Sequence, residues 1–217
     1  MTLARTTERP PLRRQAAVVL LALSACLGLA GCQMTGTPTE PTSQGSTMST
    51  SEFSTLDAAG VAAIRESRTA RLDMSSGRLE KAAVRVTEDS YGPEINTRDS
   101  GKIKLTIVAP SGEISGETDR IRLNTTEKRP DFSELTYFLT ADSPDEYFEL
   151  IRDGVERYGI DADSAERWIA GAQGEPERKS DFSITSGTST GLDVNYDLRY
   201  DGTKDTQVII VHVRPAA

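Results

Sequence analysis

Cysteine is nearly missing from this 217-residue chain: there are two, Cys26 and Cys32, both close to the N-terminus. Beyond residue 32 nothing is left to make an internal disulfide or a cysteine-ligated zinc site. Histidine is scarcer still. With His212 alone, a histidine-rich metal site and a His-paired nucleophile network are both poorly supplied. Long apolar runs are lacking as well. The longest, Ala16 to Leu29, covers about 14 residues, short of the roughly 20 needed to span a bilayer. Basic residues are outnumbered, with 25 Lys and Arg against 33 Asp and Glu, for a net charge of −8. Such a balance argues against nucleic acid as a partner and against a broad electrostatic grip on anionic phospholipid.

What the sequence does have begins at its N-terminus. Arg5, Arg9, Arg13 and Arg14, against the single acid Glu8, precede the apolar run, which ends in Leu29-Ala30-Gly31-Cys32. A basic start, a short apolar run and small residues at its end have the form of a secretory signal. The ending resembles the lipobox of bacterial lipoproteins, over about the first 32 residues. The resemblance implies a signal peptide over residues 1–31, a diacylglyceryl group on Cys32 Sγ, and cleavage that makes Cys32 the new N-terminus. Leu29, Ala30 and Gly31 would be the lipobox positions. The anchor is then lipid, two acyl chains being enough for lasting attachment where one is marginal. Arg13-Arg14 matches a twin-arginine signal only in part, because Ala16 stands where a large apolar residue is usual. The implied location is the extracytoplasmic face of a cell membrane. The 19 Arg against 6 Lys suit a high-GC, actinobacterial type of genome, which would put the anchor in the outer leaflet of the cytoplasmic membrane. Loss of residues 1–31 removes four Arg and one Glu and leaves a chain of charge −11.

Residues 33–53, after the lipidated Cys32, are rich in Thr, Ser, Pro and Gly and cannot bury a core, which predicts a disordered tether. A flexible chain of this length spans about 25 Å on average. Residues 54–217 are enough for one domain with a proper core. Leu56–Leu72 is expected to be a helix. Alternation predicts strands at Ala82-Val84-Val86, Ile103-Leu105-Ile107, Arg120–Thr125 and Glu134–Thr140. Ser143-Pro144-Asp145-Glu146 carries an N-cap serine, a proline in the first turn and a glutamate placed for a capping box. Tyr147, Phe148, Ile151, Val155 and Tyr158 follow at helical spacing and Gly159 stops the helix. A second helix is expected from Asp163, with Trp168, Ile169 and Ala172 buried. Leu192–Tyr200 and Gln207–Val213 read as a hairpin around Asp201-Gly202, the last strand apolar enough to be central. The class is α+β: antiparallel sheet with an N-terminal helix and a central helix pair. The element order also admits a duplicated α-β-β-β unit.

Motifs that carry chemistry are few. Gly187-Thr188-Ser189-Thr190-Gly191 matches G-x-S-x-G, but a strand rather than a helix is expected after it, against the needs of a nucleophile elbow. Asp161, Asp163 and Glu166 look like the start of a calcium loop, yet the glycine and distal glutamate of that loop are missing and helix capping accounts for them. No metal ligand set and no cofactor beyond the covalent lipid is expected. The aromatics gather in the middle third, where core packing explains most. Tyr147, Tyr158 and Trp168, with Tyr91 in the polar loop Glu88–Gly101, are the candidate contact points for a partner or ligand. The residues together imply a non-catalytic binding or interaction module of the cell envelope. The alternative is a carrier of a lipid or small ligand in an apolar pocket, and a hydrolase ranks third.

Overall fold

A computed structural model describes residues 53–125 and 127–217. The signal segment, Cys32 with Leu29, Ala30 and Gly31, and the tether up to residue 52 lie outside the described residues. The elements run α1 (Ala58–Ser67), β1 (Thr69–Asp73), β2 (Leu79–Glu80), β3 (Glu94–Asn96), β4 (Ile103–Ala109), β5 (Gly112–Thr118), β6 (Arg120–Asn124), β7 (Asp131–Phe132) and β8 (Glu134–Ala141). Then come α2 (Pro144–Tyr158), α3 (Ala162–Gly174), β9 (Lys179–Ser183), β10 (Leu192–Asp201) and β11 (Gln207–Pro215). The class is α+β, with an N-terminal helix and a central helix pair. Among the described residues no helix is long and apolar enough to cross a membrane.

Two sheets carry the fold. A six-stranded antiparallel sheet has the order β3-β6-β8-β11-β10-β9, and a three-stranded sheet has the order β1-β4-β5. In the smaller sheet β1 pairs parallel with β4, an exception to the antiparallel expectation. The hairpin β10–β11 forms as its alternation predicts, and β11 is central, between β8 and β10. Leu192, Val194, Tyr196, Leu198 and Tyr200 all point inward and are buried. The two halves are not built alike. The strands after α1 are divided between the sheets, whereas β9, β10 and β11 lie side by side in one, so the pairing gives no support to a duplicated unit.

Local signals explain the helix boundaries. Ser143 caps α2 by accepting a hydrogen bond from the Glu146 amide, and Gly159 closes it in the left-handed region at φ 71°. The Glu146 carboxylate accepts from the Asp142 amide at 2.8 Å instead of the Ser143 amide, so the capping box is displaced by one residue. α3 starts earlier than expected, its cap being Asp161, which accepts from the Ser164 amide, and not Asp163. The expected N-terminal helix is shorter than Leu56–Leu72. Arg68 adopts φ 56° at its C-cap and the chain turns directly into β1. The strand expected at Ala82-Val84-Val86 is a turn: the Arg85 amide donates to Ala82 O and the Val86 amide to Lys81 O.

One core runs from α1 and the smaller sheet (Ile64, Leu72, Leu105, Ile107) to the space between the helix pair and the inner face of the large sheet. Tyr147, Phe148 and Trp168 close around Tyr200, with Trp168 meeting the Tyr200 ring edge-on at 5.5 Å between centroids. Tyr158 joins the smaller sheet to this core: its hydroxyl donates to Ser115 O at 3.0 Å and accepts from the Ser115 amide at 3.2 Å. It stands at the edge of β5 where a further strand would otherwise pair.

Candidate functional site

Alternation gives the six-stranded sheet a second, outward face, and α2 and α3 pack on the opposite one. The outward residues are fixed by register: Thr136, His212 and Asn195 lie in one row, Phe138, Ile210 and Asp197 in the next. Phe138, Val208 and Ile210 form a half-buried apolar centre. The guanidinium groups of Arg120 and Arg122 sit 5.1 and 5.5 Å from the Phe138 ring centroid, close enough for cation–π attraction.

A polar network borders this centre. The Glu134 carboxylate accepts from Arg214 Nε at 2.7 Å, the Thr136 hydroxyl at 2.8 Å and Asn124 Nδ2 at 3.0 Å. His212 Nδ1 lies 3.2 Å from the same carboxylate. Burial pushes the Glu134 carboxyl up, but His212, Thr136 and Arg214 outweigh it and hold the group at about 2. Arg214 also reaches Asp193 at 3.5 Å. Nearer the sheet edge Glu94 pairs with Arg122 at 3.0 Å.

At that edge the face opens into a cleft of about 370 Å³, lined by Tyr91, Pro93, Glu94, Arg122 and Asn124. Tyr91 is 72 % exposed, the most exposed large hydrophobic residue described. Its loop is held from beneath. Lys81 is fully buried, and its ammonium donates to Glu88 O at 2.7 Å and Ser90 O at 2.8 Å while lying 5.4 Å from the centre of the Phe132 ring. Gly92, at φ 93°, lets the chain turn where a Cβ would collide with Phe132 and Leu123. These two residues leave the intervening Tyr91 side chain pointing into solvent.

The sequence-level candidates divide accordingly. Tyr91 lies in the cleft. Tyr147, Tyr158 and Trp168 are core residues, from fully buried to 6 % exposed, because helical spacing turns them toward the sheet; they are out of a partner's reach. Ser189 is followed by β10, not by a helix, and its amide donates to Tyr158 O at the end of α2, so no nucleophile elbow forms. Asp161 caps α3 and Glu166 pairs with Arg152 at 2.8 Å, which accounts for the carboxylates of the calcium-like stretch. Among the described residues no cluster of His, Cys, Asp and Glu is placed to hold a metal. Lys81, Glu134 and Arg122 carry the site and were not singled out by sequence. Comparison with protein-family models, curated proteins and solved structures gave no match.

Proposed function

We propose that this chain is an extracytoplasmic lipoprotein, held to its membrane by acylated Cys32, whose domain is a non-catalytic module that binds an envelope protein. The docking surface is the outward face of the six-stranded sheet together with the Tyr91 cleft. The observation that carries this reading is the half-buried centre of Phe138, Val208 and Ile210, bordered by arginines and acids and flanked by an exposed tyrosine. An apolar centre within a polar rim is the usual anatomy of a protein interface, with Tyr and Arg as frequent anchors. The carrier reading needs an apolar cavity between sheet and helices, and Tyr147, Phe148, Trp168 and Tyr200 occupy that space.

Crosslinking in the native membrane, followed by affinity purification and mass spectrometry, tests the proposal. The wild-type chain is expected to capture a specific protein that Tyr91→Ala and Ile210→Asp both lose. Tyr91→Ala removes a side chain in solvent and leaves the fold intact, so retention of the partner by that variant counts against this surface. Cys32→Ala is expected to leave the membrane fraction. Co-purifying lipid or metabolite without a protein partner would move the assignment to the carrier.

A further inference from the structure

Resting on the reading of Cys32 as a lipid anchor, we propose that the groove beside α1 is the face this domain turns to the membrane, and that its partner there is an anionic phospholipid surface. The chain from Cys32 enters the domain at Phe53, after 21 residues. If residues 33–53 form the tether that their composition predicts, a chain of that length spans about 25 Å and keeps the entry point near the bilayer. Phe53 is 41 % exposed and forms one wall of a groove of about 300 Å³, completed by Ala59, Ala63 and Ile64. The Arg85 side chain, 70 % exposed, lines the same groove, and the Arg71 guanidinium lies 5.6 Å from the Phe53 ring centroid. An aromatic ring with arginines beside it is a composition that membrane interfaces favour; here Arg71 also pairs with Glu113 at 3.0 Å and Arg85 with Asp57 at 3.9 Å.

The charge distribution selects this end of the domain. Leaving aside the buried Lys81, residues 53–85 carry five arginines against four acids, a net +1. Residues 86–217 carry −11, and the helix pair with its flanks, residues 142–177, has eleven acids against three arginines. An anionic surface repels the helix pair and leaves the α1 end as the part that approaches without opposition.

The mature chain has no cysteine after Cys32, so single labels are unambiguous. Ala59→Cys in the groove and Glu149→Cys on α2 would each carry an environment-sensitive nitrobenzoxadiazole probe. The full lipidated protein is floated with phosphatidylglycerol–phosphatidylcholine vesicles containing nitroxide lipid. Quenching at position 59 is expected to exceed that at 149 several-fold, and to fall in pure phosphatidylcholine and in the Phe53→Ser background. Equal, weak quenching at both positions overturns the proposal. Energy transfer between two labelled copies without lipid quenching also overturns it, and assigns the groove to self-association. Failure to float at all, as expected of Cys32→Ala, is a distinct result that removes the anchor and this inference together.

Discussion

Lys81 buries an ammonium group that donates to two carbonyl oxygens of the Glu88–Ser90 loop and lies against an aromatic ring. Lys81→Met keeps most of the stem packing but leaves both carbonyls without their donor. The expected loss is about 1–3 kcal/mol, or a fall in Tm of roughly 2–4 °C per kcal/mol for a domain of this size. Thermal unfolding followed by circular dichroism measures it, and faster amide exchange in residues 88–93 would place the effect in the loop. Glu134 gives the pH counterpart. Its carboxyl is held at about 2 in the fold against an ordinary 4.5. The stabilisation is therefore fully present above the ordinary value and is lost as pH falls through the interval down to about 2, amounting to about 3 kcal/mol. Glu134→Gln is expected to be less stable than wild type at neutral pH and to show a flatter stability profile between pH 4.5 and 2. A profile as steep as wild type would mean that other carboxylates dominate acid unfolding.

At the scale of elements, α2 illustrates how helix preference and packing can disagree. Gly154 lies in the helix interior, where alanine would ordinarily gain about 1 kcal/mol. A Cβ there would meet the Tyr196 ring at 2.6–3.0 Å. Overpacking of this kind costs about 1–3 kcal/mol, so Gly154→Ala is expected to lower the denaturation midpoint in urea despite its better helix propensity. The elements that are legible in the sequence share a property: β4, β10 and β11 each bury one side only, β8 does so apart from Thr136, and α2 is flanked directly by both of its caps. Those that escaped notice lack that asymmetry. β5 has glycine, serine and glutamate with Ile114 as its only large apolar residue, and β9 is exposed along most of its length. β1 was concealed inside an apparent helix because Arg68, not glycine, makes the left-handed turn. Ala82, Val84 and Val86 alternate as a strand would, yet the backbone turns there to bring Lys81 beneath the loop. The site was less legible than the fold. Glu134 and Arg214 are 80 residues apart, and only strand register brings them together. The aromatics named from sequence were in large part the core itself.

For the whole molecule, the separation of charge matters more than its total. A chain of net −8 with its acids concentrated over residues 142–177 presents different surfaces to different neighbours. The edge strand β9 adds a defence of its own. Antiparallel self-pairing centred on Asp181 would set that carboxylate against its own copy, which discourages edge-to-edge association. The two sheets, finally, are tied by a phenol. Because the Ser115 amide is bonded to the Tyr158 hydroxyl and not to a neighbouring strand, its shelter from solvent deuterium depends on the seating of a ring carried by α2. One peptide hydrogen in β5 thus acts as a gauge of the helix pair: it is released when α2 lifts, even while every strand remains paired.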